Sequence, residues 1–115
     1  MNTNIKTVES LHKLTEILEK QDAVLLYFSH DKCNVCKVLK PKIAELLAAN
    51  FSKMEMHYVN TEKLPDVAGQ HRVFAVPSIL IFFQGKESLR YSRNLSVTEL
   101  AAAIERPYNL LFAED

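Results

Sequence analysis

Two short runs of apolar residues constrain the fold more than any other feature of the chain. They are AVLLYF at positions 23–28 and ILIFF at positions 79–83. Neither run alternates apolar with polar residues, so each is typical of a strand that is buried on both faces. A sheet that contains such strands needs helices packed against both of its sides, which favours an α/β fold.

The segments around these runs supply the helices and the remaining strands. Residues 8–20 and 36–51 carry apolar side chains at helical spacing, and the second segment contains Pro41 in its interior. Residues 53–59 alternate like a strand, residues 87–93 alternate like an edge strand after a turn at Gly85, and a short strand is expected near residues 4–6. Residues 64–72 predict a short helix or a turn. The order predicts an α/β sandwich with a mixed sheet.

Local signals predict where the elements begin and end. Ser29 and Asp31 are candidate N-caps for the helix that follows the first apolar run. Ser96, with Glu99 three residues later, predicts a capping box that opens a last helix, and Pro107 is expected to stop it. A proline before the second apolar run, Pro77, is expected at the first residue of the strand or in a cis bond.

Length and charge limit the class of protein. With 115 residues, 48% hydrophobic and 24% charged, the chain is expected to form one domain over residues 1–115. The 14 basic and 14 acidic residues balance, so no nucleic acid or anionic membrane partner is expected. The N-terminal segment lacks the pattern of a signal peptide and no apolar run is long enough to cross a bilayer, which predicts a cytoplasmic protein. With two glycines, no Gly-rich cofactor motif is present and no cofactor is expected.

The only two cysteines lie three positions apart in KCNVCK, at positions 32–37. Two cysteines in a reducing compartment do not make a structural disulfide framework, which leaves a redox couple, a metal site or two inert thiols. His30 is spaced to join Cys33 and Cys36 as a third metal ligand, but a structural zinc site needs a fourth and no other histidine has a spacing that points to this loop.

The ordered set of motifs resembles the thioredoxin family over nearly the whole chain. The apolar strand runs into Cys33-Asn34-Val35-Cys36, Lys37 follows, Pro41 lies inside the helix, and Val76-Pro77 precedes the second apolar strand. The resemblance implies a thioredoxin-like three-layer α/β/α sandwich with a mixed four- to five-stranded sheet. It also implies a thiol-disulfide oxidoreductase whose substrates are disulfide-containing proteins or small thiols, acting as a monomer with a thioredoxin reductase-like recycling enzyme.

The resemblance assigns a role to each matching residue. Cys33, at the start of the helix, is expected to be the attacking thiolate, because the helix N-terminus stabilises negative charge. Cys36, one turn later, is expected to resolve the mixed disulfide. Pro77 is expected in a cis bond against the cysteines, and the backbone of Val76 is expected to pair with an extended substrate segment.

Three positions depart from the pattern of the best-known thioredoxins. Lys32 replaces a tryptophan and adds a cation that favours the thiolate, while Asn34-Val35 replaces Gly-Pro. Tyr27 replaces a buried carboxylate, and a tyrosine, with a reference pKa of about 10, is a poor base near neutral pH. Arg93 falls where a glycine flanks the substrate groove, and it is expected to narrow the groove or to attract an anionic partner.

Two other interpretations remain open from the sequence. A thioredoxin-fold binding module would keep the dithiol without turnover, and a metal-binding C-x-x-C protein would require an outside ligand. The apolar residues of the C-terminal segment are expected to cover the domain's own surface or to form a contact with a partner. They are Tyr108, Leu110, Leu111 and Phe112.

Overall fold

A computed structural model describes residues 5–92 and 95–113 of the chain. These residues form strands and helices in the predicted alternating order. The elements are β1 (Ile5–Thr7), α1 (Leu11–Lys20), β2 (Ala23–Ser29), α2 (Asn34–Asn50), β3 (Glu55–Asn60), α3 (Pro65–Gln70), β4 (Ser78–Phe83), β5 (Lys86–Ser92) and α4 (Val97–Leu111). None of the helices in the described ranges is long and apolar enough to cross a membrane.

The five strands form one mixed sheet in the order β1-β3-β2-β4-β5. Strands β1, β2 and β3 are parallel, whereas β4 runs antiparallel to β2 and β5 runs antiparallel to β4. Helices α2 and α4 contribute to the core on one face of the sheet, and α1 and α3 contribute to the core on the other. The predicted three-layer sandwich and the predicted edge position of β5 are confirmed.

Strand β2 lies at the centre of the sheet, and all seven of its residues are buried. Side chains alternate between the two faces of a strand, so Leu25 and Tyr27 pack in the α2–α4 layer while Leu26 and Phe28 pack in the α1–α3 layer. The apolar run of β2 is therefore continuous because both faces are covered. Tyr27 consequently shares a layer with Cys36.

The starts of two helices differ from the sequence predictions. The Ser10 hydroxyl accepts a hydrogen bond from the Lys13 N–H, so α1 begins at Leu11 and not at position 8. The prediction of Ser29 or Asp31 as the N-cap of α2 is wrong, because Ser29 is the last residue of β2 and the cap is Cys33. Strand β2 extends one residue beyond its apolar run, to Ser29. A turn follows, and Cys33 caps the helix that begins at Asn34.

The prediction that Pro107 stops the last helix is also wrong. Helix α4 begins at its Ser96 cap as expected but continues through Pro107 to Leu111. A proline in a helix removes one hydrogen bond and costs about 3 kcal/mol. Burial of Tyr108 against Phe51 and Phe112, with ring centroids 5.0 and 4.7 Å away, offsets that cost.

Candidate active site

The Cys33–Cys36 pair lies at the N-terminus of α2, immediately beyond the carboxyl end of the central strand β2. The two residues form a disulfide, with their Cα atoms 5.3 Å apart. Cys33 is the N-cap, and its sulfur accepts a hydrogen bond from the Cys36 N–H at 3.2 Å. The sulfur of Cys33 therefore occupies the position where a helix offers an unsatisfied N–H and the positive end of its dipole.

The two cysteines differ in their access to solvent. Cys33 is partly exposed, whereas Cys36 is 1% exposed and belongs to the core of the α2–α4 layer. A substrate disulfide can therefore reach only the first sulfur. Such an asymmetric dithiol suits a reaction in which one sulfur attacks an external partner and the other acts afterwards within the protein.

His30 organises the turn between β2 and the cysteines. Its backbone carbonyl accepts the Cys33 N–H at 3.2 Å, and its Nδ1 accepts the Lys32 N–H at 3.2 Å. These bonds fix the chain direction just before Cys33, while the side chain of Lys32 is exposed. Within the described residues, no group of three His, Cys, Asp or Glu side chains is placed to hold a metal ion.

Tyr27 lies directly beneath Cys36. Its side chain is 0% exposed, and its hydroxyl donates a hydrogen bond to the Cys36 carbonyl at 2.9 Å. Burial, together with the neighbouring Tyr58, raises the pKa of Tyr27 well above its ordinary value. The phenol therefore stays protonated and acts as a donor that holds the first turn of α2, not as a base.

Lys40 lies over the ring of Tyr58, on the strand next to Tyr27. Tyr58 pairs with Tyr27 across β3 and β2, and the Lys40 ammonium lies 3.9 Å from the centre of the Tyr58 ring. Burial lowers the pKa of Lys40, although Asp31 acts in the opposite direction. Sequence patterns do not single out Lys40, because its contact is with a strand residue that lies 18 positions further along the chain.

Pro77 lies beside the site through the pairing of strands. The Val76–Pro77 peptide bond is cis, and Pro77 is buried immediately before β4. Ser78 pairs with Phe28 on β2, so Val76 and Pro77 lie at the end of the sheet where β2 leads into the cysteines. Val76 and Cys33 both pack against the core cluster that contains Cys36.

The loop that leads to Pro77 is held by polar contacts on both sides. The Arg90 guanidinium, on edge strand β5, donates to the carbonyls of His71 at 2.7 Å and Arg72 at 3.1 Å, while Glu87 binds the same guanidinium at 2.8 and 2.9 Å. At the other end of the loop, the Ser78 hydroxyl donates to the Ala75 carbonyl at 2.6 Å. The loop is therefore fixed at both ends.

The structure brings most of the predicted site residues together. Cys33, Cys36, Tyr27 and Lys32 lie at or beside the start of α2, and Val76 and Pro77 lie at the adjacent strand end. Arg93, predicted to border the substrate groove, lies outside the described residues. Sequence reasoning did not identify Arg90, because its bonds to the carbonyls of Arg72 and His71 join residues 18 and 19 positions apart in the chain.

This fold and this site define a class: a domain with a central mixed sheet that carries a dithiol at a helix N-terminus beside a cis-proline. The chain matches the Thioredoxin family over residues 5–106 and belongs to that family. Members act on disulfide substrates and are recycled by reductases. With its disulfide-forming Cys33–Cys36 pair, the chain is a thiol-disulfide oxidoreductase.

Individual relatives agree with this assignment. A thioredoxin-like protein of Bacillus subtilis, YdfQ, is 28% identical over 113 residues, which cover 96% of this chain and 100% of that protein. The thioredoxin of Buchnera aphidicola is 35% identical over 74 residues, 64% of this chain and 68% of that one. The solved structure of oxidized mitochondrial thioredoxin 3 from Saccharomyces cerevisiae superposes with a TM-score of 0.80 at 20% identity, covering 88% of this chain and 93% of that one.

Proposed function

We propose that the chain reduces disulfides in other proteins, with Cys33 as the attacking residue and Cys36 as the resolving residue. The observation that carries this assignment is the difference in exposure between the two sulfurs, since Cys36 is 1% exposed and Cys33 is partly exposed. The N–H of Cys36 and the N-terminus of α2 stabilise a thiolate on Cys33, and Lys32 adds a positive charge next to it in sequence.

The reaction transfers two electrons from the dithiol to the substrate. The Cys33 thiolate attacks one sulfur of the substrate disulfide, forms a mixed disulfide and releases the other substrate sulfur as a thiolate, which takes a proton from water. The Cys36 thiol gives its proton to water, and its sulfur attacks the Cys33 sulfur, breaks the mixed disulfide and releases the second substrate sulfur as a thiolate, which takes a proton from water. The products are a substrate dithiol and the Cys33–Cys36 disulfide, which is the form that the structure contains.

Tyr27 slows the second step, in which Cys36 attacks the mixed disulfide. The proton of Cys36 must leave before the sulfur can attack, and the buried phenol of Tyr27 is bonded to the Cys36 carbonyl as a donor. A donor with a raised pKa cannot accept that proton near neutral pH. Resolution by Cys36 is therefore slower than in a thioredoxin with a carboxylate at this position.

Substrate binding is assigned to the backbone beside the cis-proline. An extended substrate segment pairs with the backbone of Val76, next to Pro77, as a short added strand. Arg93, which lies outside the described residues, is proposed to narrow the substrate groove or to attract an anionic partner. The chain is proposed to form a single domain over residues 1–115 and to act as a monomer in the cytoplasm. Its proposed recycling enzyme is similar to thioredoxin reductase. Lys32 in place of an aromatic residue changes the range of partners.

Replacement of each cysteine tests the proposal. Cys33→Ser is expected to abolish the reduction of insulin by dithiothreitol-recycled protein, whereas Cys36→Ser is expected to retain the first step and to accumulate a mixed disulfide, which intact-protein mass spectrometry detects. Activity in Cys33→Ser, or a mixed disulfide that forms equally on Cys36, would contradict the assigned roles. A wild-type dithiol that does not react with insulin or a small disulfide would indicate a binding module.

A redox titration of the Cys33–Cys36 couple tests the direction of the reaction. A reductase is expected to have a potential close to that of thioredoxin, about −270 mV, and a strong oxidant one near that of DsbA, about −120 mV. The measurement uses a glutathione or dithiothreitol buffer series and counts free thiols. A potential at the oxidising end of this range would contradict the reductase assignment and favour an oxidase.

A further inference from the structure

Lys40 occupies a position of α2 that the pattern of the helix assigns to an apolar residue. The buried residues of α2 are Cys36, Ile43, Ala44 and Leu47. Residues three or four positions apart lie on the same face of a helix. Lys40 follows Cys36 by four positions and precedes Ile43 by three, so it belongs to this inward stripe, and it is only partly exposed. Lysine is seldom withdrawn from solvent unless its charge has a partner.

The Lys40 ammonium faces the end of α2 that carries the disulfide. Helical side chains tilt towards the N-terminus of their helix, so the stem of Lys40 leans towards the turn that contains Cys36. Asp31 lies in the turn before Cys33, and its carboxylate interacts electrostatically with Lys40 and with Tyr58. Because Asp31 precedes the helix, this interaction also places the ammonium towards the N-terminal side of Lys40.

Two tyrosines connect the ammonium with the first turn of α2. The Lys40 Nζ lies 3.9 Å from the centre of the Tyr58 ring, a distance at which the face of the ring attracts a cation. Tyr58 pairs with Tyr27 on the adjacent strand, and neighbouring strands lie about 4.8 Å apart. The Tyr27 hydroxyl donates to the Cys36 carbonyl at 2.9 Å. The cation and the resolving cysteine therefore lie against the same pair of aromatic side chains.

The titratable groups that surround Cys36 and Lys40 differ in charge. They are Tyr27 of β2, Tyr58 of β3, Asp31, Glu62 after β3, and the exposed Lys32 and Lys37 that flank the cysteines. Burial raises the pKa of both tyrosines, so they stay protonated and uncharged near neutral pH. Asp31 favours the charged form of Lys40, against the effect of burial on its pKa. Because Asp31 is exposed, solvent screens its carboxylate more than it screens the ammonium.

We propose that the Lys40 ammonium stabilises the thiolate of Cys36 while Cys36 resolves the mixed disulfide. The inference rests on the proposed function, in which Cys36 is the resolving residue. The Cys36 thiol gives its proton to water, and the ammonium attracts the negative charge that remains on the sulfur until the sulfur attacks Cys33. Lys40 acts through Cys36 and is a positioning residue. A cation supplied by α2 thus partly compensates for the protonated phenol of Tyr27.

A stopped-flow reaction of the reduced protein with dithiobis(nitrobenzoate) separates the two steps. Attack by the Cys33 thiolate releases one thionitrobenzoate anion and leaves the other bound to Cys33 as a mixed disulfide. Attack by the Cys36 thiolate on the Cys33 sulfur releases the second anion and forms the Cys33–Cys36 disulfide. The first phase of absorbance therefore reports on Cys33, and the second reports on Cys36.

Three variants are compared with wild type. Lys40→Met keeps most of the apolar stem and removes the charge, Lys40→Arg keeps the charge, and the matched control Lys42→Met removes an exposed lysine from the same helix. In Lys40→Met the second phase is expected to slow about fivefold at pH 7, and the midpoint of its pH profile is expected to rise by the equivalent of about 0.7 pH unit. The first phase is expected to change less than about twofold, and so are both phases in Lys40→Arg and Lys42→Met.

The pH midpoint is the readout that a merely structural role of Lys40 would not move, because lost packing slows the second phase by the same factor at every pH. An unchanged second phase in Lys40→Met, an equal slowing at every pH, or a Lys40→Arg that slows as much as Lys40→Met overturns the inference. Wild type that releases no second thionitrobenzoate contradicts the proposed role of Cys36 instead. Urea denaturation of each variant verifies that it is folded.

Discussion

The two ends of helix α2 treat apolar side chains in opposite ways. At the C-terminal end, Phe51 is buried and packs against Tyr108, which follows Pro107 in α4 and itself packs against Phe112. At the N-terminal end, Val35 and Val38 are 63% and 60% exposed. The fold can thus cover an apolar end with an extended helix, and it does so only away from the disulfide. The exposed apolar side chains beside the disulfide are therefore available for contact with a substrate.

Phe51→Ala is expected to have the largest effect, and on stability alone. Removal of a buried phenylalanine leaves a cavity and lowers the free energy of unfolding by about 3–5 kcal/mol. Urea denaturation measures the loss, and the rate of disulfide reduction per folded molecule is expected to stay unchanged. A loss below about 1 kcal/mol would mean that Tyr108 does not form a packed cover over Phe51.

Tyr27→Asp is expected to change the rate at which Cys36 resolves the mixed disulfide, at the N-terminal end of α2. A carboxylate beneath Cys36 accepts its proton, so decay of the mixed disulfide in a single-turnover experiment at pH 7 is expected to accelerate at least about tenfold. Tyr27→Asn is the matched control, because it has the same shape without the base. Equal rates in Asp and Asn variants would remove Tyr27 as the cause of slow resolution.

Tyr27→Phe gives a pH-dependent effect on stability. At pH 7 the loss of the bond to the Cys36 carbonyl is expected to cost about 1 kcal/mol. Because the pKa of Tyr27 is raised in the folded state, an unfolded tyrosine ionises first, near pH 10, and wild type loses stability as the pH rises above that value. The difference between wild type and variant is therefore expected to shrink above about pH 10. A difference that stays constant in urea denaturation at pH 7 and pH 11 would contradict the burial of a protonated phenol.

Val38→Ser is expected to have the smallest effect on stability. Its side chain is exposed and serine has a similar helix propensity, so the free energy of unfolding is expected to change by less than about 0.5 kcal/mol. The same urea measurement applies. A loss comparable to that of Phe51→Ala would show that the two ends of α2 are equally covered, and the comparison between them would fail.

The fold could be predicted because its strongest signals are local. The apolar runs of β2 and β4 indicate strands covered on both faces, and their order with the helices, together with the motifs that resemble thioredoxin, predicts the mixed sheet. The boundaries were less predictable. Ser29 has the chemistry of a cap, but pairing of β2 with its neighbours extends the strand through it. Pro107 has the chemistry of a stop, but burial of Tyr108 outweighs it.

The site was predictable where its residues are close in sequence and unpredictable where the fold brings them together. The spacing of Cys33 and Cys36 fixes one turn of helix. The hydrogen bond from Tyr27 to the Cys36 carbonyl depends instead on how α2 crosses β2, and the ring beneath Lys40 belongs to β3. Periodicity carries no information about such contacts, because they join elements that are separated along the chain.

The anchoring of the loop before Pro77 by Arg90 has a consequence for protein engineering. A designer who transplants the segment from His71 to Pro77 onto another scaffold would move the loop without its support. The guanidinium that binds the carbonyls of His71 and Arg72 comes from edge strand β5, together with Glu87. A successful graft therefore needs both the loop and the two residues of β5 that support it, Glu87 and Arg90. A graft of the loop alone would be expected to lose its shape.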